Sequence, residues 1–234
     1  MIEFYVGLSN GIKASLIITS VLIVTTLMIG LKVKKLQTSD IPSGITLVSI
    51  MFVEMVNNTI SGVYGKKWKT YAPLLVTILL YLLFANTISL VGLTAPLSNV
   101  MVALSFSVFA FLSIQIVGFT VTNPFKRAKS MLNPLTLIGE FSTPMAMGIR
   151  LFGNLLSGSI IGLIVFRGGY ELSMFIFQAI PIVGLNGTAF VIVQTMALFA
   201  GAFVHAIFDI FFGAIQAYVY FMLFTIFMSM ATKE

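Results

Sequence analysis

The sequence predicts an all-α integral membrane protein with five transmembrane helices and one amphipathic helix on the membrane surface. Of its 234 residues, 59% are hydrophobic and 9% are charged, a composition typical of chains surrounded by lipid. Uncharged apolar runs recur along the chain, and about 20 such residues are enough to cross a bilayer as a helix. Short basic clusters lie beside these runs. Residues 1–234 are therefore predicted to form a single membrane domain.

The first three spans follow from charge-free runs. One covers about 14–31, and the uncharged stretch 70–125 is long enough for two more, about 72–92 and 98–121. Gly92 and Pro96 disfavour a continuous helix between them. We therefore predict a helical hairpin.

The last two spans are predicted to be unusually long. They cover about 134–166 and 188–231, with a break at 167–171 on the outer face and turn residues near 181–187. At 1.5 Å per residue they would be about 50 Å and 65 Å long. Because a hydrocarbon core is roughly 30 Å thick, both must tilt strongly or kink. They are expected to form an antiparallel hairpin.

The basic clusters predict the topology. Positive charge is retained on the cytoplasmic side, so the segment between the first two clusters starts and ends on one face. Residues 45–63 should therefore lie on the membrane, with a polar stripe opposite an apolar face. Counting the spans places the amino terminus outside and the carboxyl terminus in the cytoplasm. The clusters are Lys32, Lys34 and Lys35; Lys66, Lys67 and Lys69; and Lys126, Arg127 and Lys129. The stripe is Glu54, Asn57, Asn58 and Ser61, opposite Ile50, Met51, Phe52 and Val56.

Composition also limits the chemistry. There is no cysteine, and His205 is the single histidine, so neither a metal nor another cofactor is expected. The net charge of +6 resides in clusters beside spans, which argues against a nucleic-acid partner. No G-x-x-x-x-G-K-[ST] phosphate loop is present. Any nucleotide chemistry is therefore expected on partner proteins.

Arg150 is the most informative residue, because it is the only charge between Glu140 and Arg167. An arginine near the bilayer centre costs at least ~2.5 to 3.5 kcal/mol on insertion scales, which by default indicates function. It stays protonated and cannot carry a proton, but its fixed charge favours the ionised form of a nearby carboxylate. Asn154 lies one turn further.

Small residues line the arginine helix. They allow either ordinary packing against the last helix or the close approach of a partner helix near the guanidinium. The residues are Gly148, Gly153, Ser157, Gly158 and Gly162.

The last helix carries a second polar stripe, formed by His205, Asp209 and Gln216. A carboxylate and an imidazole one turn apart can relay protons through water. Alternatively, Asp209 neutralises Arg150 inside the chain and His205 is a packed core residue. Glu140 has two interpretations as well: the start of a cytoplasmic access path, or a solvated interfacial acid.

Several motifs together resemble a known family. RLFGN at 150–154, Ser157 with Gly158, and IQAYVYFMLFTIFMSMA at 215–231 are similar to subunit a of the rotary F-type ATP synthase. YAPLL and LFANTISLVGL extend the similarity to nearly the whole chain. This subunit is the stator that conducts ions past the rotor ring.

The resemblance implies roles for individual residues. Arg150 would face the rotor carboxylate and separate two aqueous half-channels, with Asn154 and Gln216 shaping the ion path beside it. Asp209 would be an ionisable group of the outer half-channel. Glu140 would be an acid of the inner half-channel.

Ser159 departs from the family pattern, because many bacterial relatives have glutamate nine residues after the arginine. We expect that Asp209, with His205 one turn away, takes over the proton handling of this missing acid.

The resemblance also implies partners and a location. The partners are the rotor c-ring carboxylates, the peripheral-stalk b subunits, other ATP synthase subunits and the lipid bilayer. The expected location is the bacterial plasma (inner) membrane or the mitochondrial inner membrane, and the favoured ion is the proton. Two other function classes remain open: a secondary transporter gated by Arg150 and Asp209, and a structural scaffold that tolerates a neutral residue at position 150. Inverted repeats would support a transporter.

Overall fold

The computed structural model describes residues 9–35, 44–121, 125, 127, 132–179 and 186–233. In these ranges the chain is helical and has no strand, and five segments are long and apolar enough to cross a membrane. The prediction of an all-α integral membrane protein with five spans is thereby confirmed. The α-helices of the described ranges are α1 (Asn10–Lys35), α2 (Ile45–Tyr64), α3 (Trp68–Thr87), α4 (Val100–Val121), α5 (Pro134–Ala179), α6 (Asn186–Ile207) and α7 (Gly213–Lys233).

Helix α2 corresponds to the predicted surface helix. It ends at Gly65, whose φ of 56° is a left-handed conformation that glycine adopts without steric cost. One face buries Val56 and Ile60, while Met51 and Met55 are exposed. The turn at Gly65 directs the chain into α3, and the placement of α2 on a membrane surface stays a prediction.

Helices α3 and α4 form a hairpin around Gly92 and Pro96. A 3-10 segment, Ile88–Val91, follows α3, and Gly92 ends it in the left-handed region with a φ of 80°. Pro96 then begins the short 3-10 segment Pro96–Ser98 before α4. The turn reverses the chain, and α3 and α4 each pack against α7.

The predicted break at 167–171 is wrong, because α5 continues through it to Ala179. Its 46 residues correspond to a length of about 70 Å. Tight packing outweighs the low helix propensity of the Gly168–Gly169 pair. A Cβ at Gly169 would lie 2.0 Å from the Cβ of Ala197 on α6, so only glycine permits this approach.

The last helix is also continuous, because the π-helical segment Phe208–Phe212 connects α6 directly to α7. It runs antiparallel to α5. Residue numbers rise along α5 while those of the contacting residues fall along the last helix. The contacts are Gly158 with Phe208, Gly162 with His205 and Gly169 with Ala197. This register sets the levels of the polar residues along the hairpin.

The buried core lies among α3, α4, the first half of α5 and α7. Helix α1 buries only Ala14 and Ile18 and lies at the edge of the bundle. Apolar surface dominates the exterior, as expected where lipid replaces water. The core includes Leu75, Leu82, Leu97, Ala110, Leu151, Tyr220, Phe221 and Phe224.

Candidate functional site

Arg150 lies on a face of α5 that this chain does not cover. Met147 and Leu151, on the same turn, are buried, whereas Arg150 and its neighbour Ile149 are exposed. Within the described ranges no carboxylate or other acceptor bonds its guanidinium. A charge on an apolar face needs a partner or water. The partner of Arg150, whether another protein or water, therefore lies outside this chain.

Close packing holds the backbone beside Arg150. A Cβ at Gly148 would lie 1.9 Å from Ser107 Oγ and 2.6 Å from the Ala103 carbonyl oxygen. Two residues before the arginine, the backbone of α5 therefore lies directly against α4. Such contact leaves little freedom for the helix to shift or rotate.

Some of the small residues of α5 pack against other helices of this chain, and others remain open to a partner helix. Gly148, Gly158 and Gly162 contact other helices of this chain, which is ordinary packing. A Cβ at Gly153 would meet nothing within 4 Å, and Ser157 is exposed. The surface open to a partner is thus narrower than predicted.

Gln216 and Asn154 lie at about the level of Arg150 along the hairpin of α5 with α6 and α7. The antiparallel register of the contacts Gly158–Phe208 and Gly162–His205 places Gln216 at about the level of Arg150. Asn154 is one turn along α5, and both amides are half-buried. They supply neutral donors and acceptors beside the fixed charge.

Asp209 is buried and has partners other than Arg150. The Ser89 hydroxyl donates a hydrogen bond to Asp209 Oδ2, and His205 Nδ1 lies 3.0 Å from the same oxygen. The His205 contact has the distance of an ion pair without the alignment of a hydrogen bond. The internal Arg150–Asp209 pair considered from sequence is therefore absent from the described ranges.

His205 connects this buried carboxylate with the exterior. Its side chain is 43% exposed, although Nδ1 itself is buried. An imidazole with one nitrogen beside a carboxylate and its ring edge exposed is suited to proton transfer. The pair can therefore act as a relay.

The π-helical segment carries Asp209 to the end of α3. Asn86 Nδ2 donates to the Gly213 carbonyl at 2.9 Å, and a Cβ at Gly213 would lie 2.8 Å from Asn86 Cβ. Such single-turn π segments are frequent at functional sites. Asn86 and Ser89 thus belong to the site, although no role was predicted for them. They could have been found in the sequence as two polar residues one turn apart in an apolar run.

Ser159 takes no part in the hydrogen bonds of Asp209. Its hydroxyl donates to the carbonyls of Leu155 and Leu156 on its own helix. The position is exposed on α5. The expectation that Asp209 replaces an acid at 159 remains a prediction.

Glu140 belongs to a second polar cluster. This cluster lies on the other side of Arg150 from Asp209, toward the start of α5. Its Oε2 accepts a 2.6 Å hydrogen bond from Gln115 Nε2 and lies 3.5 Å from Arg127 Nη2. Of the two interpretations of Glu140, this pairing favours the access path over a solvated interfacial acid, because only 24% of the side chain is exposed. Arg127 was predicted only as a topology signal, and its neighbours Lys126 and Lys129 lie outside the described residues.

The two acidic sites flank Arg150. Glu140 precedes it by ten residues, or about 15 Å along α5. Asp209 is adjacent in sequence to Phe208, which contacts Gly158, about 12 Å along α5 in the other direction. An arginine between two separate carboxylates is the central feature of this site. No group of three metal-ligating side chains occurs in the described part of the chain.

Comparisons with known proteins agree with this arrangement. Residues 14–229 match the family model described as ATP synthase A chain. The chain is 29% identical over 221 residues to ATP synthase subunit a of Mycoplasma pneumoniae, covering 87% of this chain and 72% of the relative. It is 30% identical over 207 residues to that of Mycoplasmoides gallisepticum, covering 81% and 67%. ATP synthase subunit a 2 of Chlorobaculum tepidum is 26% identical over 227 residues, covering 91% and 60%.

Proposed function

Because the chain belongs to the ATP synthase A chain family, we propose that its proton path consists of two half-channels separated by Arg150. The protein is the proton-translocating stator subunit of an F-type ATP synthase. It is a multi-pass membrane protein that acts with the other subunits of that complex. The secondary-transporter alternative is not favoured.

The exposed Arg150 between two acidic sites is the observation that carries the proposal. Its guanidinium has no acceptor in the described ranges, so its carboxylate partner belongs to another subunit. We assign that partner to the rotor c-ring. Glu140 and Asp209, which lie in opposite directions from Arg150, then mark the inner and outer half-channels.

The outer half-channel delivers a proton through His205 and Asp209. A rotor carboxylate that receives this proton becomes neutral, and a neutral acid is far less costly to move past lipid than a carboxylate. Each elementary charge crossing 100 mV releases about 2.3 kcal/mol. The membrane potential therefore provides the driving force for rotation.

Arg150 makes the transfer directional. As the protonated rotor acid returns toward the guanidinium, the positive charge favours the ionised form and hence proton release. The inner half-channel at Glu140 receives that proton. The same charge repels a cation that would otherwise pass straight between the half-channels.

Asn154 and Gln216 shape the rotor contact, because both amides lie near Arg150 and can bond a water or a passing carboxyl group. Asp209 is the acid of the outer half-channel in this chain. It takes the role of the glutamate that many bacterial relatives have at the position of Ser159. Ser89 orients Asp209 through its hydrogen bond.

The partners follow from the same assignment. The described surface contacts the c-ring near Arg150, and the peripheral-stalk b subunits hold the protein against the rotating ring. The protein is non-catalytic toward ATP, uses no cofactor and resides in the bacterial plasma membrane, with its amino terminus outside and its carboxyl terminus in the cytoplasm. The basic clusters at Lys32–Lys35 and Lys66–Lys69 support this orientation.

The test is ATP-driven acidification of inverted vesicles that contain the assembled complex. Arg150→Ala should abolish acidification while the soluble catalytic sector still hydrolyses ATP. Arg167→Ala is a matched control, because Arg167 is also exposed on α5 but lies beyond both acidic sites. Normal acidification by assembled Arg150→Ala complex would refute the proposal and favour a structural scaffold.

A further inference from the structure

Arg127 is a buried arginine without a role in the path just described. It lies between α4 and α5 and is only 5% exposed. Its Nη2 lies 3.5 Å from Glu140 Oε2 and 3.4 Å from Gln115 Oε1. Burying a guanidinium is costly unless it is paired and hydrogen-bonded. A residue that served only as a topology signal would remain in water.

The contacts of Glu140 are all made by one of its carboxylate oxygens. Gln115 Nε2 and Arg127 Nη2 both donate to Oε2. Oε1 accepts no hydrogen bond from any residue that the structure describes. It is therefore the oxygen left to exchange a proton with water.

A cavity of about 170 Å³ adjoins this carboxylate. Arg127, Glu140 and Thr143 contribute polar groups to its wall, and Phe227 and Met230 of α7 contribute apolar ones. A water molecule needs roughly 10 to 15 Å³ of such space and two or more polar partners. The cavity can hold a short chain of waters beside Glu140.

Gly118 makes room for the guanidinium. A Cβ at this position would lie 2.7 Å from Arg127 Nε and 2.8 Å from Cζ, closer than real Cβ contacts. Any side chain at 118 would therefore displace Arg127. Helix α4 thus supplies both a hydrogen-bonding amide, Gln115, and a gap of the required shape.

We propose that Arg127 is a positioning residue of the inner half-channel. Together with Gln115, it holds Glu140 Oε2 so that Oε1 faces the adjoining cavity of about 170 Å³. This inference rests on the proposed function, in which Glu140 is the inner acid. Arg127, Gln115 and Thr143 are the charged and polar groups near Glu140 in the described ranges, and α7 presents apolar side chains there.

The experiment measures ATP-driven acidification of inverted vesicles, normalised to the amount of assembled complex. Arg127→Gln should slow acidification roughly tenfold, because misplaced proton-transfer groups react much more slowly. Arg127→Lys should recover much of the rate, since an ammonium still offers donors to Oε2. Recovery by lysine distinguishes positioning by charge from filling of space.

A second variant leaves every charge in place. Gly118→Ala should slow acidification in the same direction, because the new methyl group displaces the guanidinium. Gly30→Ala is its matched control, since a Cβ at Gly30 on α1 meets nothing within 4 Å. If Arg127→Gln fails to assemble, this pair still decides the question: equal, normal rates overturn the proposal.

A double-mutant cycle tests whether Arg127 acts through Glu140. Glu140→Gln should itself slow acidification, and adding Arg127→Gln should then change the rate less than twofold. Independent, multiplying losses overturn the proposal. Arg150→Ala, measured in parallel, separates the two ideas: if it abolishes acidification while Arg127→Gln leaves the rate unchanged, only the role of Arg127 fails.

Discussion

Replacing Asp209 with asparagine is the sharpest test of the outer half-channel. The substitution keeps the shape of a buried side chain and leaves an oxygen to accept the hydrogen bond from Ser89. It removes the group that exchanges protons with His205, 3.0 Å away. Packing should therefore change little while proton transfer is lost.

The expected magnitude follows from what a positioned acid or base contributes. Such groups typically accelerate proton transfer by about 10²- to 10⁴-fold, so ATP-driven acidification should fall at least roughly 100-fold. At 1.36 kcal/mol per factor of ten, this is about 2.7 kcal/mol of barrier. The Ser89 hydrogen bond then has a neutral acceptor instead of a charged one, which destabilises the fold by at most about 1.5 to 3 kcal/mol. Assembly should survive.

The assay is acidification of inverted vesicles, normalised to the amount of assembled complex. Ser159→Ala is the control, because that hydroxyl donates only to carbonyls of its own helix, and it should leave the rate unchanged. In the Asp209→Asn background, Ser159→Glu should restore part of the rate by returning an acid to the outer side. Normal acidification by assembled Asp209→Asn complex would refute the reasoning.

Two further predictions test the neighbouring geometry. His205→Ala should slow acidification less than Asp209→Asn, because water can replace an imidazole that is 43% exposed; equal losses would contradict a relay ending at the carboxylate. Gly148→Ala should destabilise the helix bundle by about 1 to 3 kcal/mol, because its Cβ would meet Ser107 Oγ at 1.9 Å and the Ala103 carbonyl at 2.6 Å. Thermal unfolding of the detergent-solubilised chain, compared with Gly30→Ala, measures the Gly148 effect, and equal midpoints would show that α4 and α5 separate easily.

The wrong prediction at 167–171 and the open choice at Glu140 have a common cause. The break was expected because charges and glycines interrupt an apolar run, and Glu140 was considered either the start of a cytoplasmic access path or a solvated interfacial acid. In the structure, Gly169 packs tightly on Ala197 and Glu140 contacts Arg127 and Gln115. Local composition does not reveal which distant surface a residue meets, and tertiary packing overrides weak local propensity.

Features that depend on neighbouring residues could be read directly from the chain. Lipid rejects charge and unpaired backbone groups, so the membrane class and the five spans follow from local composition, as does the prediction that Arg150 is functional. The spacing of His205 and Asp209 follows from the helix repeat. Pairings across the bundle required the tertiary structure: Ser89 with Asp209 and Arg127 with Glu140. The two residues of each pair lie in different segments of the chain. The packing of the whole bundle therefore determines which side chains meet.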